Sequence, residues 1–136
     1  MRRSVVKRIN QIVNWTLEEF PPPMPVRLVW MKASSLPPKE RDYAFCHRDS
    51  GKIVITLVRR STSTVGELSD SWLHEYAHAI TFRSEKWEVK TGFRGKLYPR
   101  EIAPHDPVWA LVYGALYERF IDLGGCEESR DYPDKL

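Results

Sequence analysis

The sequence predicts a small α+β domain, and three observations carry that expectation. Apolar residues recur at helical spacing near the N-terminus and again around residues 64–82. Between them lie short segments rich in Val, Ile and aromatic residues, punctuated by Pro and Gly. A third helical pattern opens at Asp106-Pro107, where Asp suits an N-cap and Pro the first helical position. The expected order is an N-terminal helix, a short mixed or antiparallel sheet, a central helix and a C-terminal helix. A chain of 136 residues fits one such domain, expected over 1–126, with an acidic tail at 127–136.

The first helix is expected over about 3–19. Val5, Val6, Ile9, Ile12, Val13, Leu17 and Phe20 form its apolar stripe, and Pro21-Pro22-Pro23 cannot continue it. Val26–Met31 reads as a strand. Tyr43–His47 and Lys52–Val58 read as a hairpin turning at Asp49-Ser50-Gly51. The second helix, about 64–82, follows the capping cluster Ser61–Thr64; Thr64-Val65-Gly66-Glu67 has capping-box spacing. Residues 84–104 are long for a simple connection and leave a lid, a hairpin or an unstructured loop open, with Trp87 and Val89 as anchors. The third helix runs from Pro107 to about Leu123, where Gly124-Gly125 stops it.

Composition narrows the class. Apolar residues make up 42% and include five Trp, which suits a globular fold. No run of eighteen apolar residues exists, so no membrane span is expected. The basic start is followed by an amphipathic pattern rather than a continuous apolar stretch, unlike a signal peptide. Cys46 and Cys126 are too few for a disulfide framework or a zinc ribbon, and a cytoplasmic protein is the default expectation. The net charge of +3 is uneven: residues 83–100 hold six bases against two acids. That stretch reads either as a platform for nucleic acid or an acidic substrate, or as a solvated loop.

Within the second helix stands His74-Glu75-Tyr76-Ala77-His78. Helical positions i and i+4 share a face, so both imidazoles can grip one metal ion, and zinc suits such a pair. Glu75 would project near the open coordination position and take a proton from the attacking water. This is the zincin metallopeptidase pattern. The expected third ligand is His105, at the mouth of the third helix. Glu101 and Cys46 are rivals; Glu101 sits beside Arg100 in a charged stretch, and Cys46 reads as a buried strand thiol. An oxyanion donor could come from Tyr98, Arg100 or Tyr113, with packing the plainer role for Tyr113. A metzincin is excluded, because Met1, Met24 and Met31 all precede the ligands and leave no Met-turn after them.

With the pentad, His105 and Trp109 four residues beyond it, residues 43–120 resemble the SprT-like zinc metallopeptidases. The resemblance implies a small zincin-like domain with zinc held by His74, His78 and His105 and Glu75 as general base. It also implies peptide-bond hydrolysis, on protein or peptide substrates that include DNA-associated proteins. Two departures stand out: Asp106 occupies a position where the family often has Gly, and the Cys-rich C-terminal ribbon of many members is absent. In zincins an edge strand above the metal pairs with extended substrate, and Lys52–Val58 is the candidate here, although its apolar run equally suits a central strand. The sequence also admits a scaffold protein with a structural zinc site, or a nucleic-acid-binding module with a vestigial one.

Overall fold

The computed structural model describes residues 3–36, 44–81, 87–91, 97–101 and 107–122, with the two segments between 87 and 101 described as backbone. Helix α1 spans Arg3–Glu19. Strand β1, Val26–Lys32, leads into a single 3-10 turn at Ala33–Ser35. Strands β2, Ala44–Asp49, and β3, Lys52–Arg59, form the expected hairpin. Helix α2 is Val65–Ile80, strands β4 and β5 are Trp87–Thr91 and Leu97–Glu101, and helix α3 is Pro107–Asp122. The α+β order is therefore observed. The segment read as lid, hairpin or loop contains an antiparallel strand pair, β4 with β5. The acidic tail at 127–136 lies outside the described residues.

The main sheet has the order β1-β3-β2, with β1 parallel and β2 antiparallel to β3. Of the two readings open for Lys52–Val58, an edge strand that pairs with substrate or a central strand, the central one is observed and the edge role is ruled out. Six consecutive residues of β3, Ile53–Val58, are buried, and a strand covered on both faces reads as an unbroken apolar run. The edges of this sheet are β1 and β2. At the β2–β3 turn Asp49 pairs with Lys52 and only Ser50 and Gly51 intervene, with φ of 48° and 83°. Two successive positive φ values fit a type I′ turn, whose twist matches the flanking strands.

The pleat sorts β3 into two cores. Ile53, Ile55 and Leu57 meet Ile9, Ile12 and Val13 of α1, Leu68, Trp72, Leu73 and Tyr76 of α2, and Leu116 and Phe120 of α3. Val58 packs on the opposite face with Leu36 and Phe45. Polar groups tie α1 to α2 inside the larger core. Thr16 Oγ1 donates to Ile12 O at 2.7 Å and accepts from Trp72 Nε1 at 3.0 Å, while Tyr76 Oη donates to Phe20 O. These bonds satisfy an indole and a phenol that are both fully buried. The N-terminus of α2 is capped by Thr64, whose Oγ1 accepts from Glu67 N at 3.2 Å. One end of the anticipated capping box is thus in place.

Candidate metal centre

The helical run predicted for the pentad holds, and it fixes the relation of the three residues. His74 and His78 lie one turn apart with ring centres 5.1 Å from each other and planes crossed at 68°. Two imidazoles on one zinc, with Zn–N bonds of about 2.0–2.1 Å at a tetrahedral angle, would have ring centres about 5 Å apart. The separation of the two rings is that of a pair able to share one zinc ion. Glu75 is 8% exposed, and its Oε1 stands 4.0 Å from His74 Nε2. A carboxylate at that remove can reach a water between itself and the imidazole.

Helix α3 builds the opposite wall. Trp109 stacks on the His78 ring at 5.2 Å and 25°, meets the His74 ring edge-on at 4.9 Å, and donates Nε1 to His74 O at 3.3 Å. Tyr113 stacks in turn on Trp109 at 5.0 Å and 10°. Such contacts restrict imidazole rotation, and orientation of the ligand ring is what supporting residues supply in metal sites. Tyr113 Oη donates to Asp70 Oδ1. Burial first, then the hydrogen bond and charge of Asp70, push the Tyr113 phenol well above its usual value and keep it protonated. Among the three oxyanion donors considered, Tyr113 thus has its hydroxyl engaged by Asp70, in keeping with the packing role. The side chains of Tyr98 and Arg100 lie outside the described residues.

Asp70 is the residue that sequence reasoning missed. It lies four positions before His74 and eight before His78, so all three share one face of α2. That spacing was legible; its partner on α3 was not.

The predicted third ligand, His105, lies outside the described residues, two positions before the start of α3. Among the described residues no group of three or more His, Cys, Asp or Glu is placed to hold a metal ion. Of the rivals, Cys46 is fully buried in the larger core, as expected of a strand thiol. Glu101 closes β5 opposite Trp87, and its side chain also lies outside the described residues. The same holds for the side chains of the basic stretch 83–100. No described helix is long and apolar enough to cross a membrane. Comparison with family models, curated proteins and solved structures found no match.

Proposed function

We propose that the chain is a zinc-dependent endopeptidase in which His74, His78 and His105 hold the metal and Glu75 is the general base. The observation that carries this reading is the pair of imidazoles on α2, 5.1 Å apart, with a largely buried carboxylate beside them. The resemblance of residues 43–120 to SprT-like metallopeptidases supports the same assignment. A bound zinc ion supplies Lewis-acid polarisation of the scissile carbonyl and lowers the pKa of an attacking water. Glu75 accepts the proton of that water and passes it to the departing amine nitrogen. Trp109 holds both imidazoles in orientation and shields His78 from solvent. An extended substrate would pair with an edge of the main sheet, β1 or β2, rather than with the central β3.

Elemental mass spectrometry on the purified chain and its variants tests the reading. Near-stoichiometric zinc is expected in the native protein and in Glu75→Gln, with strong loss in His74→Ala and His105→Ala. Peptidase activity should fall by about 10²–10⁴-fold in Glu75→Gln. Absence of metal in every form after zinc is supplied would overturn the proposal, as would full activity in Glu75→Gln.

A further inference from the structure

Away from His74 and His78, α1 and the end of β3 line a broad, open groove of about 570 Å³. Its described lining combines three cations, Arg3, Lys7 and Arg59, with three carboxamides, Asn10, Gln11 and Asn14, and a single apolar residue, Val6. No acid is among them. The chain builds this surface from two elements. Arg3, Lys7, Asn10, Gln11 and Asn14 recur at helical spacing on the face of α1 opposite Ile9, Ile12 and Val13. Arg59 follows Ile53, Ile55 and Leu57 in the alternation of β3 and so stands on the helix side of the sheet. Lys32, its register partner on β1, adds a fourth positive charge beside it. The groove is braced from within: Arg8, 2% exposed, donates Nη1 to Gln11 Oε1 at 2.8 Å. That bond occupies the carbonyl end of Gln11 and leaves the amide hydrogens as what it offers a ligand.

We propose that this groove binds a nucleoside polyphosphate. Two of the cations, Arg3 and Lys7, lie in the first two turns of α1, and Arg59 joins them from the end of β3. The carboxamides continue along the helix, and Asn14 lies about 10 Å beyond Lys7 at a rise of about 1.5 Å per residue. Polyphosphate at one end and a base at the other span a similar reach within one nucleotide. The Asn10 and Asn14 side chains can pair with the donor and acceptor edge of a base, Gln11 adds donor hydrogens, and Val6 offers an apolar patch to its ring face. The volume falls within the range of small-ligand sites, about 300–1,000 Å³. The inference is independent of the peptidase reading, since the groove uses none of His74, Glu75 or His78.

Calorimetric titration of the full chain with ATP, inorganic tripolyphosphate, adenosine and a short oligothymidylate tests it. ATP should bind saturably, and Lys7→Glu with Arg59→Glu should weaken it at least about tenfold. Asn10→Ala with Asn14→Ala should weaken ATP while leaving tripolyphosphate unchanged. These side chains are exposed, so melting temperatures without ligand should barely move; Lys7→Gln and Arg59→Gln repeat the test should the charge reversals fail to fold. Lack of saturable ATP binding overturns the proposal, as does binding insensitive to Lys7 and Arg59. Tripolyphosphate binding as tightly as ATP, or a preference for the oligonucleotide over ATP, overturns it in favour of a simple anion site or a strand-binding groove.

Discussion

Replacing Thr16 by Val removes one hydroxyl at nearly constant volume, and the structure sets the cost. Thr16 is fully buried, and its Oγ1 is the acceptor for Trp72 Nε1 at 3.0 Å. Without it, the indole N–H stays in the core with no water to turn to, because Trp72 is itself fully buried. Leaving a buried donor unsatisfied costs about 1–3 kcal/mol. The lost bond from Thr16 to Ile12 O adds little, since that carbonyl also sits in the helix ladder. We therefore expect Thr16→Val to destabilise by about 2 kcal/mol, which for a domain of this size lowers Tm by about 6–10 °C. Urea unfolding of Thr16→Val, Trp72→Phe and the double variant measures it. Because Trp72→Phe removes the stranded donor, the double variant should lose about 1–2 kcal/mol less than the sum of the singles. Strict additivity, or a Thr16→Val loss under about 0.5 kcal/mol, would refute the claim that this bond couples α1 to α2.

Further outcomes follow from other sites. Ser50 holds a positive φ in a type I′ turn, so Ser50→Asn or Ser50→Gly should raise stability by about 0.5–1 kcal/mol, and Gly51→Val should lower it, both read from urea midpoints. Trp109→Ala should reduce zinc affinity by about 10–100-fold in competition with a chelating dye, while Trp109→Phe, which keeps a ring against His78, should lose less. Burial lowers the pKa of His47 below 6.5, opposed in part by the charge of Asp49. The folded state therefore favours neutral His47, and the stability it contributes is present above about pH 6.5 and lost as pH falls through the lowered value. His47→Gln should flatten the stability profile below pH 6.5 relative to the parent, and an unchanged slope would refute that origin.

Much of this was legible in the chain because local signals and tertiary outcome agree. The Pro21-Pro22-Pro23 stop, the Thr64 cap and Pro107 place helix boundaries through steric and hydrogen-bonding rules that act within a turn. His74, Glu75 and His78 needed only helical geometry to be brought together. What escaped depends on pairing across the chain. Residues 52–58 announce a buried strand, but whether β1 or solvent lies beside it is decided by non-local hydrogen bonds that no short motif records. The Asp70–Tyr113 bond joins residues 43 positions apart, and the wall of Trp109 against His74 depends on how α3 docks. The groove on α1 was written in the polar face of that helix, yet Arg59 joins it only through the sheet.

The two bonds between α1 and α2 have a consequence of their own. Thr16 meets Trp72 and Phe20 meets Tyr76; both pairs are separated by 56 residues, and each partner moves forward by four. The helices therefore run side by side in the same sense, joined by two rungs one turn apart. Sliding α2 by a fraction of a turn would break both rungs at once, and the next arrangement with any rung lies a whole turn away, about 5.4 Å along the axis. Intermediate placements are thereby penalised, and the ladder works as a detent. His74 stands between the two rungs on α2, on the side that meets Trp109 of α3. The placement of His74 along α1 is in this sense a counted quantity, set by which turn of one helix engages which turn of the other.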